Sequence, residues 1–372
     1  MTQLITDTAA LRAALAPLAD VPLLALDTEF YRTTTYNAEL CLVQLAVGTA
    51  DSDCFLIDTR SPDLDAQVLW DFLRRSKAVK LWHSPRQDLE ILHQHAGFIP
   101  EPLADTQVMA ALCGQRSGIG YDKLISALLG INLDKGSQFS DWRVRPLSAK
   151  QLSYAADDVR YLWQVYSLLR AELERLGRLT WLEEDMTALL DPAQYQTQPE
   201  TAWQRLNVGK FPAHAQHRIK ALASWREALA QQRNVPRGHI LKDDKLIDIA
   251  ERPAKNSERL ESLIGMPVPA TLWEAYSAAA AQKTPLLSLP PQLSKKEQRL
   301  LDFWKLLLGL KADAAQLDSA LLCTSAQLET FVRRGTWEHL NSRWRQKLLS
   351  EMLNTRGEQQ VVWDTAAGLR CA

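Results

Sequence analysis

The hydrophobic pattern changes character along the chain. Residues 21–27, 40–47 and 54–58 are short apolar runs bounded by polar turns, and each predicts a strand. Residues 70–75 fall in a helical pattern, 78–82 predict a fourth strand, and a helix begins at Pro85. A short helix is also expected after Asp7 or Thr8. From about residue 105 onward, apolar positions recur at helical spacing almost without interruption. This order predicts an α/β domain built on a mixed sheet, followed by all-α segments.

Two interruptions divide the helical part. Asp191-Pro192 and the polar run 194–199 break the periodicity, and 284–292 (TPLLSLPPQ) reads as a proline-punctuated connector. The expected units are therefore a domain over 1–180, a connecting segment over 181–209, and helical blocks over 210–283 and 293–372. The blocks echo each other faintly. Residues 257–264 (SERLESLI) lie on 325–332 (SAQLETFV), each reading as a serine N-cap with its amphipathic helix.

Composition adds that 372 residues, 46% apolar and 23% charged, suit two or three ordinary globular domains. The net charge of −1 is uninformative, but its distribution is not. Residues 1–180 hold 18 Lys+Arg against 22 Asp+Glu; by difference from 43 and 44, the remainder holds 25 against 22. Arg205 to Lys242 carries eight bases and a single acid, Glu227. Such a run attracts a phosphate backbone without sequence preference, or else forms a solvated helix face. Five scattered cysteines without a Cys-x-x-Cys pair make neither a disulfide framework nor a zinc site. With no secretory or membrane-length apolar stretch, a soluble cytoplasmic protein is expected, with no membrane partner.

The candidate chemistry is carboxylate chemistry. Asp27-Thr28-Glu29 ends the first predicted strand, and residues two apart on a strand point to one face, so both carboxylates can reach one ion. Two anions there repel unless a positive partner sits between them. Ser84-Pro85-Arg86-Gln87 reads as a helix start, with Ser84 as N-cap and Gln87 closing a capping box. Asp88 then falls in the opening turn, directly after a strand. A further helix should begin at Ser148 and run on through Leu152, Ala155, Ala156, Val159, Leu162, Trp163, Tyr166 and Leu169, its buried stripe. Tyr154 and Asp158 stack at i and i+4 on an adjoining face, whereas Asp157 points about 100° away. His83 reads as hydrogen-bonded structure, and His93-x-His95 point to different faces.

Four carboxylates in this order, with Leu-Asp-Thr-Glu-Phe, Asp88-Leu89, Tyr154-x-x-x-Asp158, and the run 133–142 followed by Arg145-Pro146-Leu147-Ser148, resemble the DEDD exonuclease superfamily in its tyrosine subclass, and within it the ribonuclease D family. Phe211 to about Lys283 is similar to the helicase-and-RNase-D C-terminal (HRDC) domain, and 293–372 looks like a second, divergent copy. The resemblance implies a ribonuclease H-like catalytic sheet with two HRDC-type helical domains. It also implies a 3′→5′ exoribonuclease releasing nucleoside 5′-monophosphates from RNA 3′ ends, with tRNA precursors as the expected substrates. Two divalent ions, Mg²⁺ or Mn²⁺, would be held by Asp27, Glu29, Asp88 and Asp158. Asp27 would bridge them, Glu29 and Asp158 would share the water-activating ion, Asp88 would support the second, and Tyr154 would orient the attacking water.

Substrate contacts are expected from Phe30, Tyr31 and Leu42 or Gln44 at the terminal nucleotide, with core packing an equal reading for Phe30. Lys135, Gln138, Trp142, Arg143 and Arg145 are expected to grip phosphates from the loop before the Ser148 helix. Arg226, Arg233 and Arg237 are expected to hold RNA on the helical block. No protein partner can be inferred. The alternatives are a DNA-directed exonuclease of the same superfamily and a non-catalytic RNA-binding scaffold.

Overall fold

The computed structural model describes residues 3–134, 136–137, 140–354, 361–364 and 368–371. Six strands form one mixed sheet in the order β1-β4-β3-β2-β5-β6. These are β1 (Gln3–Ile5), β2 (Leu23–Tyr31), β3 (Glu39–Ala46), β4 (Cys54–Ile57), β5 (Val79–Trp82) and β6 (Leu103–Asp105). β3 runs antiparallel to β2 and β4, and the remaining pairs are parallel. The four predicted strands are present. β1 and β6 were not predicted, because three residues are too few to show alternation. β2 is central, and Leu23 to Leu26 are buried on both faces, so the sheet's interior strand leads straight into Asp27.

Eight helices accompany the sheet: α1 (Thr8–Leu15), α2 (Gln67–Arg75), α3 (Arg86–Ala96), α4 (Thr106–Leu112), α5 (Tyr121–Leu129), α6 (Ala149–Arg160), α7 (Leu162–Arg175) and α8 (Leu179–Leu189). Asp7 caps α1 as expected, its side chain accepting from the Ala10 amide at 2.8 Å. The capping box Ser148/Gln151 starts α6. The long helix expected from Ser148 is instead two, α6 and α7, separated at Tyr161. The backbone stays close to helical there (φ −96°, ψ −5°), so the apolar stripe runs across the break and no glycine or proline announces it. At α3 the expected cap is corrected. Pro85 occupies the N-cap without a side-chain bond, and Ser84 is left-handed (φ 61°), its amide donating to Asp105 Oδ1 at 2.8 Å. The tertiary bond to the end of β6 has displaced the local cap.

The helical part contains α9 (Ala213–Arg233), α10 (Arg237–Ile240), α11 (Asp243–Glu251), α12 (Ser257–Ile264) and α13 (Ala270–Ala278), then α14 (Lys295–Ala314), α15 (Ser319–Leu322), α16 (Ser325–Arg334) and α17 (Arg343–Asn354). A two-stranded antiparallel pair, β7 (Val361–Asp364) and β8 (Gly368–Cys371), follows. Leu206, Val208, Ile219, Leu222, Leu246, Leu260 and Tyr276 belong to a core of the first block's own. Among its described residues the second block has none: Trp304, Phe331, Trp337 and Trp344 join the sheet domain's core. Trp344 stacks on Trp181 of α8 at 4.4 Å, and Arg345 pairs with Asp185 at 2.7 Å. The predicted serine caps lie one residue too late, since Asn256 and Thr324 do the capping. Element order also revises the internal echo. A helix of 21 residues, one of 4 and one of 9 (α9, α10, α11) parallels helices of 20, 4 and 10 (α14, α15, α16), which matches 325–334 with α11 rather than α12.

Candidate active site

Asp27 and Glu29 lie near the end of β2, paired with Gln44 and Leu42 of β3. Cross-strand partners share a face, so both carboxylates and Gln44 look toward α6, which packs on β2, β3 and β4. A register shift follows Glu29, and pairing with β3 resumes at Phe30 opposite Leu40. α6 brings Asp158 to the same point. Carboxylate oxygens of Asp27, Glu29 and Asp158 lie within 4.8 Å of one another.

This concentration of anions is not neutralised by the protein. Burial, then the charges of Asp88, Asp158 and Glu29, hold the Asp27 carboxyl well above the usual range. Burial and the Asp158 and Asp88 charges push Glu29 up to about 9. Burial raises Asp158 to about 8, although the Tyr154 hydroxyl hydrogen-bonds to it and opposes the shift. Among the described residues, no lysine or arginine offsets any of the three. A hard, all-oxygen donor set with uncompensated charge fits a divalent cation of the magnesium type. The Tyr154 hydroxyl is pushed above its ordinary value by burial and by Asp158, Glu29 and Asp27, so it keeps its proton.

Asp88 stands apart. It occupies the first turn of α3 as expected, but it accepts a hydrogen bond from Thr28 Oγ1, the residue that stands between Asp27 and Glu29 in the β2 sequence. Burial raises its carboxyl to about 6, against that bond. Thr28 was not singled out in the sequence; its only signal is its position inside Asp-x-Glu. Tyr121 was also missed. It lies half-buried near the cluster, its hydroxyl donating to the Asp157 carbonyl at 3.0 Å and its ring 5.5 Å from that of His83. His83 is structural as expected: its ring nitrogens meet Thr106 Oγ1 and the Ile119 carbonyl, each at 2.9 Å, and burial lowers its pKa to about 4.

Gln44 is fully buried, and neither atom of its side-chain amide has a partner. An unsatisfied amide beside Asp27 costs about 1–3 kcal/mol unless something binds it. Phe30 is half-buried against the main core, in keeping with its packing reading. Trp142 is corrected from a phosphate contact to packing: it is 2% exposed in a small cluster with Leu42, Leu56 and Ala155 and lies 6.1 Å from the Tyr154 ring. Arg143 is tied to Asp141 at 2.7 Å and sits 3.4 Å over the Tyr31 ring. Arg145 is spent on Asp58 and on the Trp142 and Cys41 carbonyls. Lys135 and Gln138 lie outside the described residues.

The basic run is not a single face. Arg226 is 4% exposed and donates to the Leu241 carbonyl at 2.7 Å and to Asp243 at 2.6 Å, so its expected grip on RNA gives way to a structural role. Arg218 is buried likewise, donating to the Ala250 carbonyl. Arg237, also expected to hold RNA, is engaged by Glu227. Arg233 and Lys242 are exposed. Between the two domains lies a polar cleft of about 960 Å³, bounded by residues 32–37, α3, 194–199 and the helical block, with Arg32, Arg86, Arg205 and Arg237 along it.

Comparison with known proteins bears on this arrangement. A family model described as a 3′-5′ exonuclease matches residues 2–174, and one described as an HRDC domain matches 215–270. Ribonuclease D of Sphingobium indicum is 38% identical over 341 residues, covering 88% of this chain and 86% of that protein. Ribonuclease D of Jannaschia sp. is 38% identical over 363 residues, covering 94% and 93%. The crystal structure of Escherichia coli RNase D, described as an exoribonuclease involved in structured RNA processing, superposes with a TM-score of 0.80 at 27% identity. It covers 95% of this chain and 98% of its own.

Proposed function

The chain belongs to the ribonuclease D family of 3′→5′ exoribonucleases, and from that premise we propose that it trims RNA 3′ ends, tRNA precursors among them, at the Asp27, Glu29 and Asp158 centre. The observation that carries this reading is the uncompensated carboxylate triad, whose oxygens lie within 4.8 Å. Asp27, Glu29 and Asp158 would hold divalent cations, Mg²⁺ or Mn²⁺, with Asp88 close enough in charge to take part. When bound, such ions supply positive charge for the reacting phosphate and lower the pKa of water.

The remaining work falls to the chain. Tyr154, protonated and hydrogen-bonded to Asp158, orients the attacking water through its hydroxyl rather than acting as a base. The free amide of Gln44 offers a donor and an acceptor to the terminal nucleotide beside Asp27. Thr28 fixes the Asp88 carboxylate at the start of α3. Exposed Arg233 and Lys242, with Arg86 and Arg205 along the cleft, attract the phosphate backbone upstream. The unit over 210–283 acts as an HRDC domain, and 293–354 is a divergent helical relative welded to the catalytic core. No helix among the described residues is long and apolar enough to cross a membrane.

Matched 3′-labelled RNA and DNA oligonucleotides, with and without Mg²⁺, test the reading. Stepwise release of ribonucleoside 5′-monophosphates is expected, abolished by chelation. Preferred hydrolysis of DNA would give the DNA-directed alternative, and binding without release would give the scaffold.

A further inference from the structure

The single acid in the basic run, Glu227, sits where the helical domain meets the catalytic one. Its side chain is fully buried in α9. It accepts hydrogen bonds from Arg237 Nε and Nη2, the latter at 3.1 Å, and from the hydroxyl of Tyr36. Tyr36 belongs to the other domain, in the loop over 32–38 that joins β2 to β3. The same hydroxyl receives a bond from Gln231 Nε2 at 3.1 Å, and the Arg237 guanidinium lies 5.3 Å over the Tyr36 ring. Next door, the Asn37 amide donates to Asn234 Oδ1 at 2.9 Å. Asn234 ends α9 in the left-handed conformation (φ 49°), a role asparagine fills well, and this turn presents its side chain to the loop.

The other side of the loop is held by α3. Arg32 pairs with Glu90 at 2.7 Å, and Gln94 Nε2 donates to the Ala38 carbonyl at 3.3 Å. Loop 32–38 is thus a strut. It joins the end of α9 to the two elements that carry Asp27, Glu29 and Asp88. When ionised, those carboxylates repel one another, and no lysine or arginine among the described residues offsets their charge. A brace that fixes the end of β2 against α3 therefore has something to resist. Burial alone would raise the Glu227 carboxyl; Arg237 and the Tyr36 hydroxyl outweigh it and hold the group ionised.

We propose that the α9 domain positions the catalytic strand through this latch, with Tyr36 as a positioning residue seated on Glu227. The helical domain thereby acts on the rate of the chemical step and not only on the capture of RNA. The inference rests on the exonuclease reading for its kinetic consequence but not for the strut itself.

The test is the variant Tyr36→Phe, which keeps the ring under Arg237 and leaves the Glu227–Arg237 pair intact. Steady-state kinetics on a 5′-phosphorylated RNA dinucleotide are compared with those on a long RNA. The dinucleotide offers least to a surface that merely grips upstream RNA. The latch predicts that kcat on the dinucleotide falls about tenfold while KM moves less than about twofold, as expected for a misplaced centre. It also predicts faster amide hydrogen exchange over 29–38, with the thermal transition of the α9 domain unmoved. An unchanged dinucleotide kcat with a raised KM on long RNA only would overturn the proposal. So would unchanged exchange over 29–38. If the wild-type protein hydrolyses no RNA, the exonuclease reading fails, and exchange alone then decides the latch.

Discussion

Two places in this molecule bury charge, and they do so in opposite ways. At the end of β2, Asp27, Glu29 and Asp158 are drawn together with no basic side chain among the described residues to offset them. In the α9 domain, Arg226 and Glu227 are buried and Arg237 is half-buried, but each has its partner: Asp243 for Arg226, and Glu227 for Arg237. Buried charge that the protein neutralises itself is architecture. Buried charge left unneutralised awaits a ligand, because desolvation must be offset by something. The contrast divides the acidic motif, whose carboxylates the fold gathers at one point, from the basic run, where half-hidden structural charges mingle with exposed ones.

Substitutions should separate the two kinds of site. The largest effect expected short of removing a carboxylate is that of Tyr154→Phe. Losing the water-orienting hydroxyl should cut kcat about a hundredfold, the scale of one oriented hydrogen-bond donor at a reacting centre. Single-turnover hydrolysis checks it, and metal affinity should be nearly unchanged. Arg226→Ala should behave otherwise. It strands the Leu241 carbonyl and should cost about 1–3 kcal/mol of stability in urea denaturation, with little change in RNA affinity measured on folded protein. A purely affinity-based effect would make Arg226 a phosphate contact after all.

The pH dependence sharpens the contrast further. Glu29 at about 9 and Asp158 at about 8 hold protons in the folded state that the unfolded chain has already lost above its ordinary carboxylate range. The folded state therefore binds more protons, and the metal-free protein should lose stability as pH rises from about 5 toward 9. A divalent cation displaces those protons, so the gain in Tm from Mn²⁺ should be larger at pH 8 than at pH 6. Equal gains at both values would mean that the triad is not the binding site. The smallest effect belongs to Arg233→Ala. Exposed and free of ion pairs among the described residues, it should weaken RNA binding by about threefold and lower the salt slope by about one, without touching stability.

What the chain disclosed before its structure follows the same division. Asp27, Glu29 and Asp158 were legible because strand alternation and helix spacing are local rules, and both held. The redirection of Asp88 to Thr28 was not, since it depends on how α3 is set against β2 across the sheet. Ser84 failed as a cap for a similar reason, a distant aspartate having claimed its amide. In α9 the count of bases was right and their directions were not. That helix buries Gln216, Arg218, Arg226 and Glu227 along with its apolar residues, so no simple polar face exists for the sequence to betray. Tyr36 and Glu227 lie 191 positions apart, and nothing periodic links them.

The most direct test of the carboxylate centre is hydrolysis of a 3′-labelled RNA by Asp158→Asn in saturating Mg²⁺ or Mn²⁺, with binding measured in parallel. The amide keeps the shape of the side chain and removes its charge. The expected result is RNA affinity close to wild type and release of 5′-monophosphates slowed by at least about a thousandfold. Near-normal turnover by this variant would contradict the assignment of the triad as the active centre.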